Sequence, residues 1–416
     1  MNGTDERCKT KAKARLALTP LSSTHRLITP ILLIRPIRPA CRISISTITI
    51  KFEPHFPFFM LFSLLHNEFW QTPLPFTSLN HQQFVVLQQA AAKQTVEGLV
   101  MGALIRNNVK LERADALTAY SRTMLLEQLN NKVSGVAKEL AGILGSNEVN
   151  YRIFKGQTLA QLYPYPLART PGDIDFYCVP ADFTRAEHLL QQAWGIALKG
   201  EESEQHREFT YREVPLEMHF RMIKFNSKGI QAYWERLLAD APAEQIAIQG
   251  VPVATLPPTL NVLYTFLHLY HHLVELGVGL RQFCDLMMLL HRHREQIDRH
   301  ALAQHLRTMG FYRAFCAIGS VLIDKLGLPA HEFPFAISPG DARYQPAVLD
   351  IVFTGGNFGK HMSTTAVRSG MRYNVEATIR KLRHYRLFWR LSPREIRATI
   401  LKEMPRKMLR LGFGKR

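Results

Sequence analysis

The chain has 416 residues, enough for two domains, and with 46% apolar and 21% charged residues it is globular rather than disordered. Its longest apolar candidate, residues 56–65, has ten positions and contains Pro57, well short of the ~18 needed to span a membrane. The formal net charge of +18 sits at the ends: residues 1–59 hold ten Lys/Arg against three Asp/Glu, and residues 376–416 hold thirteen against three, so the middle is near neutral.

Residues 1–59 read as an extension that is largely unfolded, upstream of a true start at Met60. Arg35, Arg38 and Arg42 interrupt the apolar stretch that a signal peptide needs, and proline density argues against an amphipathic transit helix. Residues 80–105 and 114–144 carry apolar side chains at helical spacing; in the first, Val85, Ala92, Val96, Leu99 and Ala103 form one stripe. These helices are expected to brace a sheet. Its first strand is Arg152-Ile153-Phe154, followed by a short helix over 157–163 that Pro164 and Pro166 stop. A second strand covers 173–179 and a helix 181–194. Residues 208–211 and 216–222 alternate as an antiparallel pair. Beyond Thr259 the pattern is helical, with a glycine-rich break at 355–359.

The second strand carries the chemistry. Asp173 and Asp175 stand two residues apart, so on a strand both point to one face. Like charges held so close repel, and a bound cation relieves them. Glu217 lies downstream in a similar apolar frame, in Val214-Pro215-Leu216-Glu217-Met218-His219-Phe220. A strand pair bearing Asp-x-Asp and a third acid is suited to hold two Mg²⁺ ions, with Mn²⁺ as an alternative, over a transferring phosphoryl group.

Phe154-Lys155-Gly156-Gln157-Thr158-Leu159-Ala160, Leu162-Tyr163-Pro164, Arg169 and Gly172-Asp173-Ile174-Asp175, with the later Glu217-Met218-His219-Phe220, resemble the uncharacterised bacterial nucleotidyltransferase-like family. That family belongs to the DNA polymerase β-type superfamily. The segments His268–His272 and Gly279–Leu286 resemble its second block, and the likeness runs over roughly residues 60–410. It implies an α+β fold: a small mixed or antiparallel sheet with flanking helices, then a mostly helical C-terminal domain. The boundaries expected are 60–148 for the bracing helices, 149–256 for the catalytic core and 257–416 for the helical domain with its basic tail. The likeness also implies a nucleotidyltransferase that uses a nucleoside triphosphate, ATP foremost, and an acceptor that is a small molecule, a protein or a nucleic acid. The superfamily's Gly-Ser or Gly-Gly turn is missing, since Gly156 is followed by Gln157, with sixteen residues between Gly156 and Asp173.

In this reading Asp173, Asp175 and Glu217 bind the metals, while Lys155, Gly156, Gln157 and Arg169 face the nucleotide. Arg169 has a second reading as the partner of a carboxylate. His219 shares the strand face of Glu217 and either touches substrate or metal or simply packs. Arg281 and Asp285, spaced i and i+4, read as a helix salt bridge that supports the site. His268, His271 and His272 read as core or surface histidines, because no fourth zinc ligand stands at a suitable spacing. Two alternatives stay open: an inactive nucleotide- or partner-binding scaffold, and a nucleic-acid-binding helix over Arg380–Arg410, where Arg383, Arg386, Arg390, Arg394 and Arg397 recur at three- and four-residue steps. Five scattered cysteines without Cys-x-x-Cys spacing suit a reducing cytoplasm.

Overall fold

A computed structural model describes residues 56–196, 205–356, 371–403 and 405; most of the N-terminal extension and the glycine-rich break beyond Gly356 lie outside them. The described residues belong to a unit spanning Phe52–Arg416. It opens with α1 (Phe56–Trp70), α2 (His81–Lys93), α3 (Glu97–Arg106) and α4 (Arg113–Ser146). The helix α1 begins before Met60, and Phe58 packs on Phe353 with ring centroids 4.0 Å apart, so residues 56–59 join the fold rather than the extension. Asn80 and Gln83 form a reciprocal capping box at the start of α2.

The single helix expected over 80–105 is two. Thr95 takes a left-handed φ of 55°, which ends α2 and moves its buried stripe to Phe84, Leu87 and Ala91. The break frees Gln94, whose side chain donates to Val352 O (2.9 Å) and accepts from Leu280 N (3.1 Å).

The sheet and its helices follow as β1 (Tyr151–Phe154), α5 (Gly156–Ala160), β2 (Ile174–Cys178), α6 (Phe183–Trp194), β3 (His206–Tyr211), β4 (Val214–His219) and α7 (Lys228–Ala239). The four strands run in the order β1-β2-β4-β3, with β2 and β4 parallel and the outer pairings antiparallel. This is the small mixed sheet of an α+β fold. A separate hairpin, β5 (Glu244–Ile248) and β6 (Val251–Thr255), turns at Gln249-Gly250, where both residues have positive φ. The remaining helices are α8 (Pro258–Glu275), α9 (Leu280–Arg292), α10 (Arg299–Met309), α11 (Tyr312–Leu326), α12 (Pro339–Ala342), α13 (Gln345–Gly355), α14 (Met371–Phe388) and α15 (Pro393–Ala398).

Two apolar clusters sandwich the sheet. Ile153, Ile174, Phe176, Cys178, Leu216 and Met218 face α4 and α6, joined by Ile248 and Val253 of the hairpin. Phe154 and Tyr177, on the other face, join a larger cluster built from α1, α3, α8, α9 and α11. Against α8, Lys381 pairs with Glu275 at 2.6 Å and the Tyr385 hydroxyl donates to the same carboxylate. Tyr385 and Phe388 therefore pack inward, while Arg383, Arg386 and Arg390 stay exposed. Cys178, Cys284 and Cys316 are free and buried; burial pushes the Cys178 thiol up to about 12, Cys316 to about 11 and Cys284 well above the ordinary thiol range. Among the described residues, no helix is long and apolar enough to cross a membrane.

Gly98 lets α3 pass close against the backbone that leads into Arg169. A Cβ there would lie 2.3 Å from Ala168 O, in the single-turn helix Pro166–Ala168 that leads into Arg169. Gly98→Ala is therefore expected to cost about 1–3 kcal/mol through overpacking. Gly135→Ala, in α4 with nothing within 4 Å of the added methyl, should stabilise by up to about 1 kcal/mol. Urea denaturation of the two variants measures both, and equal stabilities would contradict the close approach at Gly98.

Candidate active site

The register of the sheet assembles the site. In the parallel pairing Asp175 lies beside Glu217 and Tyr177 beside His219. The β3–β4 hairpin then sets His206 opposite His219 and Glu208 opposite Glu217. Alternation sends Phe176 and Met218 into the α4–α6 core and leaves Asp175, Glu217 and His219 on the opposite face. There they line a cleft of about 440 Å³ whose far wall comes from α8 and α9, through Tyr264, His268 and Arg281. Asp173, immediately before β2, reaches the same cleft. Asp173, Asp175 and Glu217 each offer a carboxylate oxygen, all three within 4.8 Å of one another. A second group, His206, Glu217 and His219, meets the same criterion and shares Glu217.

Charge inside the cluster is compensated by the chain itself. Lys155 Nζ lies 2.7 Å from Asp175 Oδ1. His219 Nε2 lies 3.1 Å from both Asp175 Oδ1 and Glu217 Oε2, so one imidazole N–H is shared between two carboxylates. Burial alone would push the Asp175 carboxyl up, but Lys155 and His219 outweigh it and hold it below the ordinary range. Asp173 behaves oppositely: the neighbouring Asp175 charge, reinforced by burial, raises it from 3.8 to about 6 against the pull of Lys155. Burial would lower His219, yet its bonds to Asp175 and Glu217 raise it. On α8, burial first and then Lys155 hold His268 well below the ordinary imidazole range, and burial takes His272 down to about 3.

Backbone strain places the lysine. Lys155 has φ 57° and ψ −151°, a region that costs a non-glycine residue on the order of 1–3 kcal/mol. Gly156 follows at φ 41°, where a Cβ would come within 3.2 Å of Asp173 O. The two residues thus fold the end of β1 back against the backbone that carries Asp173.

Two residues expected at the nucleotide, Gln157 and Arg169, bond to the chain itself, Arg169 in the carboxylate pairing that was its other reading. Gln157 is turned away from the cleft: its amide donates to Asn130 Oδ1 and its oxygen accepts from Ser134 Oγ, both at 3.1 Å on α4. Helix α5 rotates it there, because its first turn packs on α4. Arg169 is engaged by Asp285 through Nε at 2.7 Å and Nη2 at 2.8 Å, and the Tyr163 hydroxyl donates to the same carboxylate at 2.7 Å. Asp285 is consequently not the i+4 partner of Arg281, which instead donates Nη1 to Thr170 O at 3.0 Å. His268, His271 and His272 line the cleft but do not gather as a metal-ligand group among the described residues. His206 and Tyr264 are cleft residues that the sequence did not flag. His206 is findable by pairing the β3–β4 hairpin outward from its two-residue turn, Arg212-Glu213.

Three carboxylates gathered at neighbouring parallel strands beside a basic side chain, in a cleft roofed by helices, make a hard-oxygen donor set of the kind a divalent cation takes. Residues 81–322 match the family described as uncharacterised nucleotidyltransferases, more than half of the chain, and the protein belongs to it. That span contains every carboxylate described above. No curated protein matches the sequence. Among solved structures, the chain is similar to the crystal structure of an antigenic nucleotidyltransferase-like protein from Paracoccidioides brasiliensis at 17% identity and a TM-score of 0.31, over 48% of this chain and 93% of that one. A likeness so distant carries no weight for the site.

The opposed shifts of the two aspartates give a stability test. Asp173 titrates higher folded than unfolded, so between about pH 4 and 6 the native state keeps a proton the unfolded chain has lost, and this group's contribution falls as pH rises. Asp173→Asn should therefore stabilise the chelator-treated protein by about 1–2 kcal/mol at pH 7.5, a gain that disappears near pH 4. Asp175 contributes stability above the ordinary carboxylate range that is lost as pH falls. Asp175→Asn leaves Lys155 buried without its partner and should cost about 3–5 kcal/mol at pH 7.5. Urea melts across that pH range measure both; shifts of the same sign would refute the charge assignment.

Proposed function

We propose that the chain moves a nucleotidyl group from a nucleoside triphosphate to a hydroxyl or phosphate acceptor, breaking the bond between the α- and β-phosphates and releasing pyrophosphate. The observation that carries this reading is the convergence of Asp173, Asp175 and Glu217 in one cleft. The donor set is made of hard carboxylate oxygens, and the raised Asp173 reflects like charges that a cation would relieve; both suit Mg²⁺. Asp173, Asp175 and Glu217 would hold two such ions, with Mn²⁺ as the substitute. Bound there, the cations would neutralise charge on the phosphates and lower the pKa of the acceptor oxygen.

The chain's own residues supply positioning. Lys155 and His219 orient the Asp175 carboxylate, and His219 does the same for Glu217. The Arg169–Asp285 pair fixes the segment that runs into Asp173. Catalysis at such a site rests on held geometry and charge rather than on a protein nucleophile. The helices after β6 would select the acceptor, and the buried free thiols suit a cytoplasmic setting. One observation favours a second reading, nucleotide binding without transfer: Gln157 stands where the superfamily has its phosphate-turn serine or glycine, and its side chain is committed to α4.

The assay is metal-dependent turnover of labelled ATP, CTP, GTP and UTP. Asp173→Asn and Asp175→Asn should each reduce turnover by about 100-fold or more. Glu217→Gln should lower turnover more than nucleotide affinity, because its metal would activate the acceptor. Turnover by both aspartate variants at the parent rate would dismiss the transfer reading. Metal-dependent nucleotide binding by the parent with no turnover of any of the four would favour the second.

A further inference from the structure

We infer that Arg281 forms a subsite for the polyphosphate chain of the substrate, on the α9 wall of the cleft beside the carboxylates. The proposal deepens the transfer reading, which supplies the nucleoside part of the ligand, but the anion chemistry stands on the cleft's cations. Lys155 and Arg169 are both answered by carboxylates of the chain, Asp175 and Asp285. Arg281 has no such ion pair among the described residues. Its one hydrogen bond to them runs from Nη1 to Thr170 O, and its buried Nε meets no partner among them. Asp285, one helical turn away, already accepts from Arg169 Nε, Arg169 Nη2 and Tyr163.

A guanidinium has five N–H donors in a planar fork that matches phosphate oxygens two at a time. Holding one half-buried with most of that fork unused costs free energy unless an anion completes it. The position is also rigid. Leu280 N donates to Gln94 Oε1 at 3.1 Å and Arg281 N to Gln94 O at 3.3 Å, so the break between α2 and α3 sets the first turn of α9. A Cβ on Gly172 would lie 3.7 Å from Arg281 Nη1, which puts the guanidinium beside the residue preceding Asp173. The ligand that fits is an anion with charge distributed along its length: one part over the metal-binding carboxylates, another on the fork. A linear polyphosphate has that form, whether it is the tail of a nucleotide or a free chain.

The test is calorimetric titration of the full chain with sodium tripolyphosphate in Mg²⁺, repeated with Mg²⁺ alone and with Mg-ATP. Arg281→Gln should weaken tripolyphosphate about 10- to 100-fold, as expected for lost charge-assisted bonds. Arg281→Lys, which keeps the charge and loses the fork, should fall between. If the glutamine variant melts well below the parent, the lysine variant decides, since parent-like affinity in it removes the fork from the argument. The inference is overturned if the parent binds no tripolyphosphate, if Arg281→Gln binds it like the parent, or if Arg281→Gln loses Mg²⁺ affinity equally. Tripolyphosphate that depends on Arg281 but is not displaced by Mg-ATP would keep the subsite and remove the nucleotide. ATP turnover in the parent with an unchanged KM in Arg281→Gln would do the reverse.

Discussion

The parallel pairing of β2 with β4 is the constraint on which the site depends. It sets Asp175 directly beside Glu217, and because side chains alternate, nothing short of a register change separates them. What enforces the register lies on the far side of the sheet. Ile174, Phe176, Leu216 and Met218 are all at most 2% exposed against α4 and α6, each burial worth on the order of 1.5–3 kcal/mol. A slip of one residue in either strand would turn its two apolar side chains out of that core and drive its carboxylate into it. The unfavourable meeting of two acids is thus maintained by hydrophobic packing one layer away.

Behind the acids lies a second layer of charge. The Arg169–Asp285–Tyr163 group joins the segment before β2 to α9 across a separation of 116 residues, with both ionic side chains almost fully buried. A buried pair of this kind is weak evidence for stability in itself, but removal of one member is severe. Its value here is geometric, since it fixes the approach to Asp173 and the distance from α9 to the sheet. Gln94 adds an independent tie to the same helix, so the cleft wall is held at two points.

The carboxylate triad and the strands that bear it were legible because period-two alternation and the Asp-x-Asp and Glu-x-His spacings are local properties. The α+β class and the helical run after β6 were readable for the same reason. Partner choice was not. Arg281 and Asp285 have ideal spacing for a helical ion pair, yet a bidentate contact with Arg169 from a distant segment is stronger than an i,i+4 pair worth a few tenths of a kcal/mol. Gln157 follows a lysine-glycine turn that suggests a phosphate loop, but the rotation of a five-residue helix decides which way it faces. Thr95 carries no glycine or proline to announce the left-handed break between α2 and α3. Each miss concerns a backbone rotation or a long-range contact that composition does not encode.

The three buried thiols make the molecule a reporter of its own opening. Cys178 shares a strand with Asp175, Cys284 precedes Asp285, and Cys316 lies in α11, away from the cleft. Thiols held so far above neutrality have almost no thiolate while the structure is closed. Alkylation at each must therefore wait for its own element to open. The order in which these three react reads the relative stability of β2, α9 and α11.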